Sequence, residues 1–195
     1  MMEKIFSSMI EILLRPKEEW EAIKTEANDK KTVILYPVFV AIIPALAILV
    51  GYSIVGIPMQ YEYVRMPFGM AVFSSLMFVF LSFAAIAAVA IMINIFCNYF
   101  KIEGSWLTYF KLAAYSSTAP LLANVFYLIP VVQFLKIVGF YGCLTLFVGL
   151  PVMLDIPKEK EMQFVVTVIV FAIIISIVFF GITKYFIGPV YSEVL

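Results

Sequence analysis

Five stretches of the chain carry no charged residue: 32–61, 66–100, 112–135, 137–154 and 162–183. Each is dominated by Leu, Ile, Val, Phe and Ala, without the alternation of a half-buried strand. A helix needs about 20 mostly apolar residues to cross the ~30 Å hydrocarbon layer, and a central charge costs roughly 2.5–3.5 kcal/mol. The pattern therefore predicts an all-α integral membrane protein, a bundle of five spans near 33–56, 69–97, 112–130, 137–154 and 163–186. The second run is too short for two crossings and a turn, and reads as one long, tilted helix. The fourth is short, carries Gly139, Gly142 and Gly149, and ends in Gly149-Leu150-Pro151. The connector Val131–Lys136 before it follows Pro130. Two full spans joined by a tight turn is the preferred reading of this pair. A re-entrant hairpin is the alternative, since non-helical backbone is tolerated in a bilayer where protein covers it.

Residues 1–32 are polar-rich and show no small-residue cleavage site of a secretory signal. Ile5, Phe6, Met9, Ile10 and Leu13 recur on one helical face. Pro16 suits the first turn of a second short helix, where its missing N–H is not needed, and Glu18, Glu19 and Glu21 favour a positive helix N-terminus. Trp20 and Ile23 share a face of that helix. Two readings fit this amphipathic segment: a pair lying on the inner leaflet with Trp20 as interfacial anchor, or a face packed against the ends of the bundle.

Composition narrows the function classes. The chain of 195 residues is 64% hydrophobic and 13% charged, where a soluble domain is roughly half apolar and about a quarter charged. Thirteen basic residues balance 13 acidic ones, so no net field attracts nucleic acid. Ten cations (Lys4, Arg15, Lys17, Lys24, Lys30, Lys31, Lys101, Lys111, Lys158 and Lys160) fall on the N-terminal side of the five spans, against Arg65, Lys136 and Lys184 on the other. Short loops rich in Lys and Arg stay cytoplasmic. Residues 1–32 are then a cytoplasmic segment, 33–188 the membrane domain, and 189–195 a short extracytoplasmic tail.

Candidate chemistry is sparse. There is no histidine, which removes the commonest general base and metal ligand. Cys97 and Cys143 fall at different depths and are expected as free thiols. No Asp, Glu, Lys or Arg lies in the middle of a predicted span, where ion-coupled carriers place such groups. Asn94, Asn98 and Asn124 read as interhelical hydrogen-bonding residues. Asp155 reads as a solvated loop carboxylate, with catalysis or cation binding as the alternative. Pro37, Pro44, Pro120 and Pro151 read as packing kinks. Ala84 and Ala88 share a face, as do Ala119 and Ala123, which allows close helix approach. No phosphate loop, His-Glu-x-x-His helix or nucleophile elbow occurs. No catalytic, cofactor-binding or metal residue is therefore named, and no cofactor is implied.

Three segments carry motifs of one membrane-protein family. In LLRPKEEWEAIKTE, Pro16, Trp20, Ile23 and Glu26 fit a Pro-x3-Trp-x2-Ile-x2-Glu opening. In LAAYSSTAPLLANVFYLIPVV, Tyr115 and Pro120 resemble the start of the family's third helix. In LFVGLPVMLDIPKEKEM, Gly149 and Pro151, then Pro157 and Lys158, match a Gly-Leu-Pro segment and a Pro-Lys-Glu-Lys loop before the last helix. Together they resemble the Yip-domain (Ypt-interacting protein) family in its compact prokaryotic form, over roughly residues 13–188, and the resemblance implies a five-helix membrane domain. Eukaryotic members act in vesicle trafficking and bind prenylated Rab-type GTPases. This chain lacks the long cytosolic N-terminal region and the Asp-Leu-Tyr-Gly-Pro motif, which argues against small-GTPase binding and for a prokaryotic plasma membrane.

The expected function is that of a non-catalytic membrane scaffold or interaction protein, with the lipid bilayer, further copies of itself or other membrane proteins as partners. The alternative is a passive channel or transporter for a small solute.

Overall fold

The computed structural model describes residues 2–25, 30–58 and 63–187. Eight α-helices follow in order: α1 Met2–Leu14, α2 Pro16–Thr25, α3 Lys30–Val50, α4 Phe68–Phe100, α5 Trp106–Ser116, α6 Thr118–Ala123, α7 Tyr141–Met153 and α8 Lys158–Ile187. A π-helical turn, Gly51–Val55, extends α3, and 3-10 segments cover Asn124–Leu128 and Pro130–Phe140. The strand content of the described residues is one antiparallel pair, β1 Ile57–Pro58 with β2 Tyr63–Val64. It joins α3 to α4 and marks one end of the bundle; α1 and α2 mark the other.

Four helical stretches are long and apolar enough to cross a membrane: Lys30–Val55, Phe68–Phe100, Phe134–Met153 and Lys158–Thr183. They cover the expected first, second, fourth and fifth spans. The expected third span, 112–130, is not one continuous helix. Its α-helical hydrogen bonding stops at Ser116, resumes from Thr118 to Ala123, and tightens to 3-10 at Asn124. The local cause is chemical: the Ser117 hydroxyl bonds back to the Ala113 carbonyl at 2.7 Å, and Pro120 has no N–H to give. The expected turn at Val131–Lys136 is part of a 3-10 segment rather than an open loop.

Ring contacts fix the directions of the helices. Phe100 meets Phe164 at 5.5 Å between centroids and Phe96 meets Phe171 at 5.0 Å, so α4 and α8 run antiparallel. Tyr36 meets Tyr115 and Tyr52 meets Tyr127, so α3 and the broken run 106–128 point the same way. Gly51 lets these two approach: a Cβ there would collide with the Tyr127 carbonyl oxygen. At 33 residues α4 rises about 50 Å, more than the hydrocarbon layer. It ends where Lys101 turns left-handed at φ 58°, with the Ile102 N–H closing on Cys97 O at 2.8 Å. Ser105 then starts α5 by accepting from the Thr108 N–H at 3.2 Å.

The largest fully buried side chains include Ile5, Ile12, Trp20 and Ile23 of α1 and α2, with Tyr36 on α3 and Phe164 on α8. Outward faces of α4 and α8 are apolar and exposed, with Phe73, Leu76 and Phe80 on one and Val170, Ile174 and Ile177 on the other. In water such a surface would aggregate, and in lipid it is the expected exterior.

Candidate functional site

Five of the ten residues singled out by sequence, Pro16, Trp20, Ile23, Tyr115 and Gly149, meet where α2 enters the bundle. Pro16 starts α2, and the helix carries Trp20 into the space between α5 and α7. Trp20 is 0% exposed, so the reading of it as an interfacial anchor is replaced by the packed one. Its indole Nε1–H donates to the Thr145 carbonyl at 2.9 Å. Its ring lies on Gly149, where a Cβ would meet Cζ2 and Nε1 at 2.7 Å. Tyr115 packs edge-on to the indole at 6.0 Å and stacks on Tyr36 at 4.0 Å, with 21° between planes. The Tyr36 hydroxyl and Thr118 Oγ1 share a hydrogen bond of 2.6 Å, and Thr118 Oγ1 bonds the Tyr115 carbonyl at 2.7 Å. One turn before Tyr115, the buried Lys111 ammonium donates to the Ile23 carbonyl at 3.2 Å. Ile23 is itself buried beside Trp20 on α2.

Helix α7 supplies the facing surface through Tyr141, Thr145 and Gly149, four residues apart and therefore on one face. The Tyr141 hydroxyl donates to Leu13 O at 2.9 Å, at the end of α1. The two N-terminal helices are thus held to α7 by two side-chain donors and one missing Cβ.

Other motif residues lie elsewhere. Pro120 starts the packing of α6 on the segment before α7: Cβ atoms on Gly139 and Gly142 would come to 3.2 and 2.7 Å of its atoms. Pro151 is half-buried in the last turn of α7. Pro157 and Lys158 are exposed at the start of α8, where the Pro157 carbonyl takes the Lys160 N–H at 2.9 Å. Glu26 lies outside the described residues. Sequence reasoning missed Tyr36, Thr118, Thr145, Tyr141 and the burial of Lys111. The spacing Tyr141-x3-Thr145-x3-Gly149 is the one signal that could have found part of this set.

The α1 face also differs from expectation. Ile5, Ser8, Met9 and Ile12 are buried, whereas Phe6 and Ile10 are exposed along with Met2 and Leu14. The helix thus has an inner stripe against the bundle and an outer apolar stripe at four-residue spacing. Asn94, Asn98 and Asn124 do not bond between helices: Asn98 reaches Asn94 at 3.4 Å and Asn124 reaches the Pro120 carbonyl at 2.7 Å. Cys97 and Cys143 are free, as expected. Asp155 is solvated and pairs with Lys24 at 3.3 Å, tying α2 to the α7–α8 loop.

Chemically the junction offers packing and hydrogen bonds. No group of three metal-ligating side chains occurs among the described residues. A cleft of about 580 Å³ lies in the other half of the bundle and touches none of Trp20, Tyr36, Tyr115 or Gly149.

Long apolar helices around a packed junction, with exposed apolar faces outward, define a multi-pass helical membrane protein. A family model, the Yip1 domain, matches residues 10–180, most of the chain, and the protein belongs to that family. Comparison with curated proteins and with solved structures returned no match.

Proposed function

We propose that the protein is a non-catalytic scaffold of a prokaryotic plasma membrane, which organises membrane proteins by associating with them or with further copies of itself. Five crossings carry the chain from a cytoplasmic N-terminus to an outer C-terminus. The broken run 106–128 makes the third crossing, because it lies alongside α3 in the same direction. The observation that carries the reading is the use made of the family-motif residues. Trp20, Ile23, Tyr115 and Gly149 close a packing junction, and the cleft of about 580 Å³ touches none of them. Family membership and the apolar helices fit a non-catalytic membrane protein. On the outward face of α4, Ala84 and Ala87 line a shallow groove with Leu76, Val79, Phe80 and Phe83. Small residues on such a face let a second helix come close.

The test is crosslinking in native membranes. In a background with Cys97 and Cys143 replaced by alanine, Ala84→Cys should trap a discrete homodimer or one defined heteromeric band on oxidation. A clean monomer at that position, together with no band from a lysine-reactive crosslinker, would remove the scaffold reading. A passive channel or transporter for a small solute is the alternative. The closed junction at the α1–α2 end weighs against it.

A further inference from the structure

A cleft of about 580 Å³ lies between α4, α5, α6, the 3-10 segment before α7, α7 and α8. Its size is that of a ligand site. Phe78, Ile86, Leu121, Leu146 and Phe179 make its walls apolar. Along α8 it runs from Ala172 to Thr183, about 16 Å of helical rise. Ile137, Phe140, Ile177 and Phe180 line its rim and are exposed, so it opens sideways onto the surface that faces lipid.

Two polar groups of the residues lining this cleft lack the partners that the others have. Ser82, Ser117, Asn124, Ser176 and Thr183 each bond a carbonyl of their own helical run. Ser116 does not. Its Oγ is buried without a hydrogen-bond partner among the described residues, in a side chain 6% exposed. That oxygen is closed off from the cleft and offers an occupant no contact. Lys136 is the other. Its ammonium sits 3.0 Å over the Tyr127 ring, and no carboxylate pairs with it among the described residues. A cation at a membrane-facing cleft calls for an anion.

We propose that this cleft binds an anionic phospholipid of the surrounding bilayer, one acyl chain lying between α4 and α8 and the phosphate against Lys136. Lateral entry selects a molecule that arrives from the membrane. The apolar walls match an acyl chain, and the lone ammonium gives the preference for negative charge. Tyr127 beneath the ammonium keeps it at the cleft wall when the site is empty. The scaffold reading does not depend on this site.

Photolabelling of the full chain in nanodiscs tests it. The probes are phosphatidylglycerol and phosphatidylcholine carrying a diazirine on one acyl chain, each at the same mole fraction. Phosphatidylglycerol should label the cleft residues Leu146 and Ile175 about tenfold more than phosphatidylcholine does, as expected for one charge-assisted contact. Lys136→Gln should remove the preference, Lys136→Arg should keep it, and Ala85→Phe should block labelling by both lipids. The accessibility of buried Cys97 to a thiol dye verifies that each variant is folded. Equal labelling of the cleft and of the outward residues Phe73 and Leu76 would overturn the proposal. So would a preference for phosphatidylglycerol that survives Lys136→Gln, or capture in the cleft of a peptide from a second copy of the chain.

Discussion

The two halves of the bundle use the same materials in opposite ways. At the α1–α2 end, an indole fills the space over Gly149, its N–H is bonded to Thr145 O, and Tyr36, Thr118 and Lys111 each have a buried partner. Toward the β pair, helices stand apart around an open cleft, and the Lys136 ammonium at its wall lies over the Tyr127 ring with no carboxylate paired to it among the described residues. Buried polar groups are almost always satisfied in folded proteins, so a fully paired region reads as structural and an unpaired one as awaiting a ligand. Of the residues singled out from the sequence, Pro16, Trp20, Ile23, Tyr115 and Gly149 fall in the first kind of region. Trp20, Ile23, Tyr115 and Gly149 attach the short α1–α2 pair to the rest of the bundle.

Substitutions at the junction should break this contrast most strongly. Trp20→Ala removes a fully buried ring and its hydrogen bond, leaving a cavity between α2, α5 and α7. The expected loss is about 3–5 kcal/mol. In detergent this should lower the unfolding midpoint by roughly 10 °C, read from dye reaction at Cys97 in a Cys143→Ser background. Gly149→Ala attacks the same contact from the other side. The added methyl meets an indole held by packing on both faces, and overpacking of this kind costs about 1–3 kcal/mol. A Gly149→Ala protein as stable as the parent would mean that α2 can lift off the bundle, and the junction would no longer be rigid.

A smaller change tests whether the polar part of the junction matters beyond its shape. Tyr36→Phe keeps the ring on Tyr115 and loses the hydroxyl that bonds Thr118. Thr118 Oγ1 retains the Tyr115 carbonyl, so no buried atom is orphaned. The expected loss is about 1 kcal/mol, a shift of a few degrees in the same thiol assay. A drop as large as that from Trp20→Ala would show that the tyrosine pair moves as a unit when its bond is cut.

The bilayer explains which features could be read from the chain. Inside lipid a backbone must satisfy itself, so long charge-free runs leave helix as the available solution, and α3, α4 and α8 fall where the runs put them. The same reasoning fails at 112–130. A charge count registers no difference between a continuous helix and one broken at Ser117 and Pro120, because both are equally apolar. Periodicity placed Trp20 and Ile23 on one face but held no information on what covers that face. The carbonyl that Trp20 reaches is 125 residues away. The three asparagines misled for a local reason. Each lies within a turn of a partner on its own helical run, and that bond forms without a second helix. The cleft was invisible because its residues come from helices α4 to α8 and both 3-10 segments between them, none unusual alone.

The smallest effect sharpens the comparison best, because it repeats one chemical change in a different setting. Gly181 lies in α8, and a Cβ added there would meet nothing within 4 Å. Alanine at this position restricts the unfolded chain and favours helix, with a gain of about 0.5 kcal/mol and a midpoint raised by a degree or two. The same added methyl is thus expected to stabilise at Gly181 and destabilise at Gly149. Opposite signs would tie the loss at Gly149 to the indole above it rather than to alanine in a membrane helix. A loss at Gly181 in native membranes that vanishes in detergent would instead reveal a neighbour seated on that face of α8, and the outward surface would be an interface rather than a boundary with lipid.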